Sequence, residues 1–164
     1  MKLPVWISAA VSAFVATLRP AGDYVNLKKI KPGVTTQTEV LSRMGKPGFI
    51  HWNDDGIGIW EYTRQPNGSS CYMISIGPDQ VVRQVEQVLN EANYAKVRMG
   101  MSKDDIRRRF GIPASKQTFN NLHEEIWEWR IEGLAPLDET YFMVHFDADT
   151  GGVKKTATRV EMKG

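Results

Sequence analysis

Residues Lys31–Pro47 read KPGVTTQTEVLSRMGKP, and residues Arg98–Pro113 read RMGMSKDDIRRRFGIP. The two stretches carry one grammar. Each opens on a glycine (Gly33, Gly100) and reaches a hydroxyl residue (Thr36, Ser102) with a carboxylate three positions on (Glu39, Asp105). That spacing satisfies the free backbone N–H groups of a starting helix. Each then stops at a glycine (Gly45, Gly111), with Pro47 and Pro113 preventing continuation. The pattern predicts short helices over 37–44 and 103–110. A brief helical segment is expected before each, near Tyr24–Ile30 and near Glu91–Val97.

The correspondence continues along the chain. Trp60-Glu61-Tyr62 answers to Trp127-Glu128-Trp129, and Tyr72-Met73-Ile74 to Phe142-Met143-Val144. An ordered series of this kind indicates one module written twice. The remainder of each copy alternates apolar and polar residues between Gly, Asn and Asp turns, the signal of an antiparallel meander. The expected class is therefore α+β: two tandem copies of a two-helix plus antiparallel three- or four-stranded meander module. The chain divides into 1–23, an export signal or N-terminal anchor; 24–90, the first module; and 91–164, the second. A module of this size buries only ~60% of its unfolded surface, so the copies are expected to pack together, in one continuous sheet.

Strand alternation assigns faces. Phe142, Val144 and Phe146 share one side, with Trp127 and Trp129; Tyr72, Ile74 and Ile76 share the equivalent side, with Trp60 and Tyr62. The opposite, outward set supplies the candidate binding residues Glu61, Arg83, Glu128, Arg130, Tyr141 and His145, whose polar ends are expected off the core.

At 164 residues, 41% apolar and 24% charged, the composition is that of a globular protein with a packed core. A net charge of +2 and the lack of a basic, aromatic-interleaved stripe argue against nucleic acid as a partner. With Cys71 as the single cysteine, neither an intrachain disulfide nor a Cys-pair zinc site can form. His51, His123 and His145 fall at non-equivalent places in the repeat, and no nucleophile elbow or phosphate loop occurs. No catalytic residue, metal site or cofactor is therefore expected, and the chain reads as non-enzymatic. Asp147-Ala148-Asp149-Thr150-Gly151-Gly152 resembles the start of a calcium loop, but Thr158 stands where the twelfth-position glutamate belongs. A hairpin turn is the reading there.

The N-terminus differs from the rest. Lys2 precedes an uncharged apolar run, Leu3–Leu18, which Arg19-Pro20 ends. The run is shorter than the ~20 residues that span a bilayer and has the shape of a secretory signal. Asp23 stands where a lipoprotein would carry its acylated cysteine.

Taken together, Lys31, Pro32, Gly33, Glu39, Val40, Gly45, Pro47, Trp60 and Tyr62, with Gly100, Gly111, Pro113 and Trp127, resemble the SmpA/OmlA family, the BamE-like lipoproteins of outer-membrane assembly. The duplicated architecture is also similar to the β-lactamase inhibitor proteins. The first resemblance implies a periplasmic, outer-membrane-associated binding and assembly module. Its partners would be envelope proteins, the barrel assembly machinery among them, together with the membrane surface. The second implies an inhibitor of a periplasmic or secreted hydrolase.

Overall fold

The computed structural model describes residues 24–133, 135 and 138–162; the proposed export segment 1–23 lies outside them. Helix α1 spans Tyr24–Leu27 and α2 Gln37–Met44, followed by strands β1 (Phe49–Trp52), β2 (Gly58–Thr63), β3 (Cys71–Ile76) and β4 (Val82–Gln87). Helices α3 (Glu91–Tyr94) and α4 (Lys103–Phe110) precede β5 (Ser115–Phe119), β6 (Glu124–Ile131), β7 (Asp138–Asp147) and β8 (Val153–Met162).

The two longer helices start as their spacing predicts. Thr36 Oγ1 accepts from the Glu39 N–H while Glu39 Oε2 accepts from the Thr36 N–H at 2.9 Å. Ser102 and Asp105 repeat the exchange at 3.1 and 2.9 Å. Both helices end on a glycine with φ 77° and ψ −166°, a backbone region that is essentially closed to side-chain-bearing residues.

The expected class is corrected. The chain is mostly β, built as two separate four-stranded antiparallel sheets in the orders β1-β2-β3-β4 and β5-β6-β7-β8. Helix is a minor component: α1 and α3 are four residues each, because the apolar stretches read as helices to Ile30 and Val97 leave the helix after one turn. The strands reach ten residues in β7 and β8. Nor do the sheets join edge to edge. They stack.

The stacking follows from which faces are apolar. Leu27, Ile30, Val40 and Met44 pack against Trp60, Tyr62, Ile74, Ile76 and Val82, so α1 and α2 cover one face of the first sheet. The other face of that sheet is apolar too. Its Cys71, Met73 and Ile59 enter a second cluster with Val88, Leu89, Ile106, Phe110 and the second sheet's Trp127, Trp129, Phe142, Val144 and Phe146. Helix α4 is thereby held between the sheets, with Phe110 edge-on to Trp129 at 5.5 Å and Tyr94 of α3 stacked on Phe142 at 4.1 Å. The layer order is α1/α2, first sheet, α3/α4, second sheet. The core thus crosses the junction at residue 90. Phe110 and Trp129 are fully buried, and burying a large side chain of this kind contributes about 1.5–3 kcal/mol. Among the described residues no helix is long and apolar enough to cross a membrane.

Candidate binding face and interlayer seam

With α3 and α4 on the Trp127/Trp129 side of the second sheet, its opposite side has no described helix or strand packed over it. Pairing brings Ser115, Glu128, Met143 and Ala157 into one row across that face. Gln117, Ile126, His145 and Lys155 form the next row, and Arg130, Tyr141 and Arg159 a third.

The charged groups in these rows are tied to one another. Glu128 accepts from Ser115 Oγ at 3.0 Å and from Arg159 Nε and Nη2 at 3.3 Å. The Arg159 guanidinium also lies over the Tyr141 ring, 4.5 Å from its centroid. Tyr141 donates its hydroxyl to Glu139 at 3.1 Å, and Arg130 reaches the other Glu139 oxygen at 3.3 Å. At the far end His145 Nδ1 meets Glu124 Oε2 at 2.9 Å, and Lys154 holds Oε1 at 2.9 Å. The hydrogen bonds from His145 and then Lys154 hold the Glu124 carboxyl down at about 2. Ile126, Met143 and Ala157 supply the apolar ground between these pairs. Fixed ion pairs thus border this apolar ground.

Of the candidate residues read from the sequence, Glu128, Arg130, Tyr141 and His145 lie on this face. Glu128 and His145 are nonetheless buried, because Arg159 lies over the first and Glu124 pairs with the second; their expected free exposure is corrected. Arg83 lies apart on β4, ion-paired to Asp79 at 2.7 Å. Glu61 is not outward at all. It is 1% exposed and reaches across the seam, where Oε2 accepts from Arg107 Nη1 at 2.6 Å and Oε1 from the Ile112 N–H at 2.9 Å. Gly111 completes this contact: a Cβ there would stand 2.6 Å from Cys71 Sγ and 2.9 Å from Glu61 Oε1. Burial pushes the Cys71 thiol well above its ordinary range.

No family model and no curated protein matches the chain. Among solved structures, it is similar to a candidate β-lactamase inhibitor protein from Streptococcus mutans, at 15% identity and a TM-score of 0.33 over 84% of this chain and 98% of that one. It is similar to an extracellular SCP-domain protein from Bacillus anthracis, at 8% identity and a TM-score of 0.31; it spans about half of that protein, 51%, and the likeness covers 84% of this chain. A DUF4309 family protein, YjgB, from Bacillus subtilis follows at 13% identity and a TM-score of 0.26 over 82% of each chain. The inhibitor-like architecture expected from the sequence meets the weak likeness to the Streptococcus mutans protein, and none of these three structures is an SmpA/OmlA protein.

Sequence reasoning missed Arg107, Arg159 and Glu124. The cross-strand register that brings Arg159 to Tyr141 is invisible until β8 is placed. Asp147 is better explained: its carboxylate accepts from the Asp149 and Thr150 N–H groups at 3.0 and 2.8 Å, closing the β7–β8 hairpin. Among the described residues no group of three or more His, Cys, Asp or Glu is placed to hold a metal ion.

Proposed function

We propose that this chain is a non-enzymatic protein-binding module of the cell envelope, and that it meets its partner with the uncovered face of the second sheet. The observation that carries the reading is the combination of an uncovered sheet face with side chains already fixed by mutual ion pairs. Ordering long side chains at an interface is costly, and pre-ordering removes much of that cost. Strands of five, eight, ten and ten residues, spaced ~4.8 Å apart and rising ~3.3 Å per residue, give a face of roughly 500 Å². That is about two thirds of the ~800 Å² per partner in protease–inhibitor complexes.

The partner class we favour is a secreted or periplasmic hydrolase, with the chain acting as its proteinaceous inhibitor. Export itself rests on Lys2 and the apolar Leu3–Leu18 run. Affinity capture from separated soluble and membrane envelope fractions tests the reading: recovery of a soluble hydrolase, with loss of its activity on mixing, is the expected result. Co-purification with the outer-membrane barrel assembly machinery instead would replace it with the assembly role implied by the SmpA/OmlA resemblance.

A further inference from the structure

Strand β8 is an outer strand of the second sheet, ten residues long and paired on one side with β7. On its other side the Val153 backbone is bonded to Gly100 and Met101, and beyond Val153 no described residue pairs with it. From Lys155 to Met162 its register with β7 is unbroken, so every second residue turns its N–H and C=O to the open edge. Such an edge is a template for a further strand.

The charges along β8 decide which strand fits. Lys155, Ala157, Arg159 and Glu161 lie on the uncovered face, opposite His145, Met143, Tyr141 and Glu139; Thr156, Thr158 and Val160 lie on the other, opposite Val144, Phe142 and Thr140. Two copies of β8 related by a two-fold axis run antiparallel. Outward-turned groups must then face outward-turned groups, so each residue meets one an even number of positions away. With the axis at Thr158, Lys155 stands opposite Glu161 of the second copy, twice by symmetry. Ala157 leaves room for the Arg159 side chain, and Thr156 meets Val160. Moving the axis to Ala157 sets Lys155 against Arg159, and moving it to Arg159 sets that residue against itself. Lysine on an edge strand ordinarily opposes pairing, but in the Thr158 register it has an acid to meet. The other outer strands offer no such match: β1 carries no Asp, Glu, Lys or Arg, β5 carries Lys116 alone, and in β4 Arg83 and Glu86 are an odd number of positions apart.

We propose that the chain forms a two-fold dimer through β8, with its axis at Thr158 and Lys155 of each copy on Glu161 of the other. The two second sheets run on as one, and their uncovered faces lie on the same side. The dimer stands independently of the proposed partner.

Sedimentation of the purified chain over a wide concentration range tests it. Wild type is expected to pass from monomer to dimer and no further, because a closed two-fold contact uses up both edges. Lys155→Glu and Glu161→Lys each set like charges opposite one another at two places, and each is expected to weaken dimerisation at least tenfold. The combined exchange restores the opposite charges and is expected to recover most of that loss. Arg83→Glu makes the same change of net charge as Lys155→Glu, but on β4, and is expected to leave dimerisation unchanged. Lys155 and Glu161 are both exposed, and circular dichroism checks that each variant is folded; if one single variant is not, the other carries the test. A wild type monomeric throughout, growth beyond a dimer, wild-type dimerisation in a folded single variant, or no recovery in the combined exchange would each overturn the proposal.

Discussion

Glu61 and Arg107 meet at 2.6 Å across the seam between the first sheet and helix α4, with Glu61 1% exposed and Arg107 22% exposed at the side chain. The pair joins two halves of the chain, beside the Ile112 N–H bond to Glu61 and the two hydrogen bonds between Gln65 and the Arg130 backbone. The two partners are unequal. Arg107→Ala strands a carboxylate in the interior, and removing one member of a buried pair costs about 3–5 kcal/mol. Glu61→Ala leaves a guanidinium that water still reaches. Urea unfolding at neutral pH is expected to rank Arg107→Ala below Glu61→Ala, with Glu61→Leu/Arg107→Met recovering part of the loss.

Gly45 and Gly111 share the same backbone angles but not the same surroundings. A Cβ at Gly45 meets nothing within 4 Å, so Gly45→Ala is expected to cost only its backbone strain, about 1–3 kcal/mol. At Gly111 the added carbon collides with Cys71 Sγ and Glu61 Oε1. Gly111→Ala should therefore unfold at distinctly lower urea than Gly45→Ala, and equal midpoints would show that the seam yields without cost.

Two elements were legible in the sequence for a plain reason. Helix caps are written within three residues, and strand faces within two, so α2, α4 and the Trp60/Tyr62 and Trp127/Trp129 faces needed no long-range information. Glu61 needed it. Alternation says that a residue lies opposite Trp60 and Tyr62 but not whether that side meets water, and a glutamate there reads as solvent-facing. The available signal was β3, CYMISI, apolar on both sides at Cys71, Met73, Ile74 and Ile76; a strand apolar on both faces is covered on both. Helix content was over-read because apolar residues after a one-turn helix look the same whether the turn continues or not.

Acid should act through Glu124. Its folded carboxyl is held at about 2, below the ordinary 4.5, so its contribution to stability is present above pH ~4.5 and is lost as the pH falls through about 2. Unfolding midpoints across this window are expected to place Glu124→Gln below wild type near pH 6 and to bring the two curves together near pH 2. Parallel curves would assign acid sensitivity elsewhere.

The thiol of Cys71 is fully buried and its ionisation is suppressed by burial. Thiolate is the reactive form, so a thiol reagent should label the folded protein only as fast as it unfolds, and labelling should become complete in urea. Fast labelling under native conditions would mean that the interlayer core opens locally around β3.

If the uncovered face of the second sheet is the partner surface, charge and ring substitutions on that face weaken binding while off-face changes do not. With a captured partner in hand, its dissociation constant is measured for wild type, Lys155→Glu, Tyr141→Ala and, as an off-face control, Arg83→Ala, with unfolding midpoints recorded for each. At least a tenfold weakening is expected for Lys155→Glu and Tyr141→Ala, each still folded under the binding conditions, and wild-type affinity for Arg83→Ala. Unchanged binding by both on-face variants, or an equal loss in Arg83→Ala, would contradict it.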